Sequence, residues 1–96
     1  MKYMLTYESI PDFGPLADEH FQAHLDYLKG FHERGVLLLI GPMQEPYNGD
    51  GVGVFSTQEA AEEFVAGDPF VIHGVIRTHK IRAWKEVLMP EPAQAG

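Results

Sequence analysis

The sequence contains no cysteine. That absence excludes disulfides, thiolate nucleophiles, thiolate zinc sites and iron–sulfur clusters, and it is compatible with a reducing compartment. Basic residues are few: seven lysines and arginines stand against fourteen aspartates and glutamates, for a net charge of −7. A general nucleic-acid binder carries basic clusters, and an anionic membrane surface attracts them, so neither partner is expected. The acidity favours solubility rather than pointing to an activity. No apolar run approaches the ~20 residues that span a bilayer. Met1 to Tyr7 turns polar too soon for a signal peptide, so a cytoplasmic protein is expected. Phosphate-binding loops are missing too, because Gly49, Gly51 and Gly53 lead into a strand pattern and not into a helix. Neither Ser9 nor Ser56 sits in a nucleophile-elbow context. No cofactor is expected.

What is there reads as one globular domain. The chain has 96 residues, with 45% hydrophobic and 22% charged, an ordinary globular balance. A chain of this size buries only about 60–65% of its unfolded surface and is marginal alone. Pairing of two copies through exposed sheet is a natural remedy.

Lys2 to Glu8 alternates, with Tyr3, Leu5 and Tyr7 on one side, and predicts a strand. Ser9 to Pro15 is a loop. A helix follows from Pro15 to about Arg34, with Asp18 and Glu19 favouring its positive end and Gly35 as its stop. Val36 to Ile40 is a continuous apolar run, expected as a strand buried on both faces, with a bend at Gly41-Pro42. Asn48-Gly49-Asp50-Gly51 is the strongest turn signal, and Val52, Val54 and Phe55 complete a hairpin of two central strands. Ser56-Thr57-Gln58-Glu59 reads as a capping box with Ser56 at the N-cap. Ala60, Ala61, Phe64 and Val65 form the apolar stripe of a second helix that Gly67 ends. Asp68-Pro69 looks like a fresh N-cap with one helical turn behind it. Val75 to Val87 is a long last strand, and residues 89–96 are expected to form a flexible tail. The order strand, helix, strand, strand, helix, strand predicts an α+β fold of the ferredoxin-like split-βαβ type over residues 1–88.

His24 is the candidate that stands out. It falls on the apolar side of the first helix, in line with Ala17, Phe21, Leu28 and Phe31. A half-buried imidazole is the usual general base near neutral pH. The bland alternative is a core histidine bonded to a backbone carbonyl. Asp68 could accept a hydrogen bond from one ring nitrogen and so fix the tautomer. It could also be a plain N-cap, worth ~1 kcal/mol. One carboxylate has lone pairs enough for both. Among the tyrosines, Tyr3, Tyr7 and Tyr27 could line a pocket or simply pack, with Tyr7 a candidate donor to a substrate oxygen. Arg77, Lys80 and Arg82 could hold an anionic substrate, or be solvated charges that protect a sheet edge. His20 and His24 have a spacing that can serve a metal, but Phe21-Gln22-Ala23 between them is not a zinc-protease pattern, and no metal site is expected. His32 is expected near the helix end in solvent, and His73 and His79 at the surface or beside a pocket.

Four stretches carry a family resemblance: Met1-Lys2-Tyr3-Met4-Leu5, His24-Leu25-Asp26-Tyr27-Leu28, Gly35-Val36-Leu37-Leu38-Leu39-Ile40-Gly41-Pro42 and Gly67-Asp68-Pro69-Phe70. The chain resembles the YciI-like family, the YCII-related domain, over about residues 2 to 87. The Gly-Pro after the second strand and the Asp-Pro-Phe after the second helix are the most specific pieces. The resemblance implies a ferredoxin-like fold that dimerises as an α/β barrel, and an active site centred on His24 and Asp68. Members with an assigned activity look like lyases that eliminate chloride from hydroxylated aromatic compounds.

The expectation is therefore a small homodimeric enzyme of lyase or isomerase type. His24 and Asp68 would carry general acid–base chemistry on a small, ring-bearing organic molecule, with Tyr7, Phe70 and Arg77 around the substrate. Two other classes stay open: a non-catalytic ligand-binding or interaction domain of the same fold, and a cofactor-free oxygenase-like barrel.

Overall fold

A computed structural model describes residues 1–88, and the tail expected over 89–96 lies outside them. The elements are β1 (Lys2–Ser9), α1 (Gly14–Glu33), β2 (Leu37–Pro42), β3 (Gly51–Phe55), α2 (Gln58–Gly67), α3 (Pro69–Ile72) and β4 (Ile76–Trp84). The four strands form one antiparallel sheet in the order β2-β3-β1-β4. Helices follow β1 and β3, and each connection crosses to a non-adjacent strand or to the far edge, so the fold is ferredoxin-like. Among the described residues, no helix is long and apolar enough to cross a membrane.

The core lies between the helices and one face of the sheet. Alternation along β1 turns Leu5, Tyr7 and Ser9 inward and leaves Thr6 and Glu8 exposed. Leu5, Leu37, Phe55 and Phe64 are all buried to 1% exposure or less. Phe64 meets Phe55 and Phe31 at ring-centroid distances of 5.2 Å each, within the range where aromatic pairs add to burial. Arg34 ties the end of α1 to α2 through two bonds to Glu63, at 2.9 and 3.0 Å.

Several local expectations change on contact with the fold. The apolar run is not buried on both faces. β2 is an edge strand, and a bulge between Leu37 and Leu39 sets Leu37 into the core and leaves Leu39 67% exposed. Gly41-Pro42 does not bend the chain away; β2 continues through Pro42, which an edge strand tolerates because proline's missing donor faces no partner. The N-cap of α2 is Thr57 and not Ser56: the Thr57 hydroxyl accepts from the Ala60 amide at 3.1 Å, while the Ser56 amide closes the sheet on Val36. Neither Asp18 nor Glu19 falls in the first turn of α1, which starts at Gly14 without a side-chain cap. The last strand stops at Trp84, short of Val87. Gly35 ends α1 as expected, at a φ of 79° that glycine adopts without strain.

Candidate active site

Asp68 is the residue around which the site is built. It closes α2 and caps α3 at φ −65° and ψ 122°, the extended backbone that the following Pro69 imposes on its predecessor. Its side chain is completely buried. A buried carboxylate is tolerable only when its oxygens are satisfied, and here three donors converge. Phe70 N–H donates to Oδ1 at 3.0 Å, His24 Nδ1–H donates to the same oxygen at 2.7 Å, and the Tyr7 hydroxyl donates to Oδ2 at 2.7 Å. These partners come from α3, α1 and β1, so one side chain joins three elements.

His24 is held on two sides. The bond to Asp68 takes Nδ1, and the Phe70 ring stacks on the imidazole at 3.9 Å with the planes 1° apart. The imidazole is 12% exposed. Among the described residues Nε2 has no protein partner, so it is the nitrogen left for another molecule. The apolar side of the helical pattern explains the placement: Ala17, Phe21, His24, Leu25 and Leu28 form one stripe along α1.

That stripe is one wall of a cavity of about 580 Å³, within the ~300–1,000 Å³ of small-molecule sites. Leu5 and Tyr7 of β1 form the floor with β3, and Phe70, Val75 and Ile76 close one end. The hollow owes its space to glycine. Gly53 pairs with Leu5 and Gly51 with Tyr7, so β3 presents no side chain at two successive inward positions. Gly49, at φ 89°, packs so closely under the end of β1 that a Cβ there would lie 2.6 Å from the Ser9 Cβ. The Ser9 hydroxyl donates to the Gly49 carbonyl and pins the loop to the cavity rim.

Burial raises the ionisation of Tyr7 far above the usual phenol range, and the neighbouring Asp68 charge adds to it. Tyr27 shifts in the same direction, mainly through burial and then through Asp68. The neutral phenol of Tyr7 is therefore a fixed donor to Asp68.

The placement of the other candidates is mixed. Tyr7 lines the cavity, yet its hydroxyl is committed to Asp68 and is not offered to a substrate. Phe70 lines it as expected. Arg77 does not: it is exposed and paired with Glu8 at 3.0 Å, because it follows the cavity-lining Ile76 on β4 and strand alternation turns its side chain the other way. Tyr27 turns its hydroxyl to the Glu63 carbonyl, outside the cavity. His20 stacks on His73 at 3.8 Å, a second ring pair between α1 and the end of α3. Among the described residues no group of three or more His, Asp or Glu side chains is arranged to hold a metal. His32 sits in the last turn of α1 with Nδ1 at 2.9 Å from the Leu37 carbonyl, and His79 is exposed on β4. The role of Tyr7 and the glycine-made hollow escaped sequence reasoning. The signal for the second was present: glycines two apart in a strand empty one face of it.

The sequence model of the YCII-related domain matches residues 1–85. No curated protein sequence matches the chain. Among solved structures, the fold is similar to that of 5-chloro-2-hydroxyhydroquinone dehydrochlorinase from Burkholderia phenoliruptrix AC1100, in complex with 2,5-dihydroxybenzoquinone. The TM-score is 0.73 at 18% identity, covering 88% of this chain and 94% of the other.

The phenol of Tyr7 generates a test. Its ionisation is raised on folding, so its contribution is fully present below about pH 10, the unfolded value, and is lost as pH rises beyond it, where the unfolded chain releases a proton that the folded one keeps. Tyr7→Phe is expected to lower stability at neutral pH by roughly 1–3 kcal/mol, since Asp68 Oδ2 loses its donor. The variant is also expected to lose stability less steeply than wild type above pH 10. Urea unfolding across alkaline pH checks both, and parallel slopes would contradict the assignment.

Proposed function

Since the chain belongs to the YCII-related domain family, we propose that it is a small acid–base enzyme of lyase or isomerase type, acting on a small ring-bearing organic molecule. The observation that carries this reading is the 2.7 Å bond between His24 Nδ1 and a buried Asp68, beside a cavity that the same imidazole lines. The carboxylate holds the tautomer with the proton on Nδ1, which leaves the Nε2 lone pair free to take a proton. When it does, the imidazolium forms against the Asp68 charge rather than alone in an apolar wall. The electron pair left on the substrate then expels a leaving group, which is elimination, or takes the proton back at another atom, which is isomerisation. Positioned proton transfer of this kind contributes about 10²–10⁴-fold in rate. A similar fold on a dehydrochlorinase solved with a dihydroxybenzoquinone supports a ring substrate.

His24→Ala is expected to keep its far-ultraviolet circular dichroism and to lose turnover by about 10²–10⁴-fold. Chloride release from chlorinated hydroquinones is the assay. A folded variant with undiminished turnover would refute the role of His24, and a wild-type chain that binds such rings without converting them would make this a binding domain.

The reading extends to assembly, with two copies pairing through their sheets. Met4 and Leu39 flank a buried Val54 in register across three strands, and Leu39 is two-thirds exposed. A chain of 96 residues gains from covering such a surface. Sedimentation velocity is expected to show a dimer that Leu39→Lys weakens without unfolding the chain; a wild-type monomer at micromolar concentration would contradict the pairing.

A further inference from the structure

We infer that the cavity beside His24 selects neutral or cationic hydroxylated rings and turns away anionic ones, with Asp18 as a specificity-determining residue. The inference rests on the acid–base reading of the same cavity and goes further by assigning the charge of the ligand.

The argument starts from the distribution of cations. The chain has seven lysines and arginines, and none lines the cavity. Arg34, Arg77 and Lys2 are engaged with Glu63, Glu8 and Glu86. The remaining four occupy exposed positions on α1, on β4 and just beyond it. Residues 89–96, outside the described part, contain no lysine or arginine. The lining instead includes two acidic residues, Asp18 and Asp50, and the Asp68 charge stands immediately behind the imidazole. Asp18 lies on the α1 stripe with Phe21 and Leu25, at the exposed end of the hollow.

The hydrogen-bonding groups of the wall point the same way. An anion needs donors, and two of the three lining hydroxyls, those of Tyr7 and Ser9, are already given to Asp68 and to the Gly49 carbonyl, while the third belongs to Tyr47, a residue 61% exposed to water. His24, with its proton on the Asp68 side, offers an acceptor at Nε2 and so calls for a donor on the ligand. The rest of the surface is largely apolar and aromatic, with Phe13, Phe21, Tyr47 and Phe70 facing the space. Moving a carboxylate out of water into such a wall, with no counter-charge and with acidic neighbours, is unfavourable. A neutral ring carrying a hydroxyl loses little hydration, fills the apolar walls and donates to Nε2. A cationic substituent is additionally favoured by Asp18.

Three probes of one shape separate the possibilities: para-hydroxybenzamide, para-hydroxybenzoate and para-hydroxybenzamidine. Each is titrated into the intact protein while the His24 imidazole signals are followed by NMR. The expected result is that amide and amidine shift the His24 signals, that the benzoate binds at least about tenfold more weakly than the amide, and that Asp18→Asn narrows this difference. Benzoate binding as tight as the amide, with His24 shifted, would overturn the charge selection and leave the acid–base site standing. Three probes that all leave the His24 signals unmoved would overturn both.

Discussion

A single buried carboxylate organises this molecule. Asp68 has no contact with solvent, and its stability in that position depends on three donors drawn from a strand, a long helix and a short one. Removing any donor leaves a desolvated charge short of a partner, which makes the group a constraint on the relative placement of β1, α1 and α3. The same requirement fixes the imidazole. Because Asp68 must be satisfied, His24 must present Nδ1–H to it, and the free nitrogen follows without further machinery. Structural cap and orienting acid are one side chain in two roles, and neither role excludes the other.

The cavity is the second half of the site, and it arises from omission. A four-stranded sheet under a helix ordinarily fills its inner face with side chains. Here Gly51 and Gly53 leave two adjacent inward positions empty opposite Tyr7 and Leu5, while α1 turns Leu25, Leu28 and His24 toward the vacancy. The hollow is thus framed by regular elements, and the imidazole proposed as its base projects from the middle of a helix and not from a loop, which favours precise placement.

Much of this was legible in the chain itself. Element order, the inward side of β1, the apolar stripe carrying His24, the Asp-Pro cap and the Gly35 stop all follow from local periodicity and backbone preference. What periodicity cannot supply is the meeting of distant parts. Nothing near Tyr7 says that its hydroxyl is spent on a carboxylate 61 positions away. Arg77 looked like an anion holder because a basic strand in an acidic protein is conspicuous, yet strand alternation turns it away from the cavity and Glu8 neutralises it. The apolar run of β2 suggested burial on both faces, whereas an edge position and a bulge leave Leu39 outside. The capping-box spacing put Ser56 at the N-cap, but its amide is held by the sheet bond to Val36, and the cap falls to Thr57.

The orientation of the imidazole bears the whole functional reading, and nitrogen NMR of His24 measures it directly. In the wild-type protein the ring is expected to carry its proton on Nδ1, with Nε2 bare, and to lose that preference in Asp68→Asn. A wild-type ring protonated at Nε2 with a bare Nδ1 would contradict it, since no base would then face the cavity.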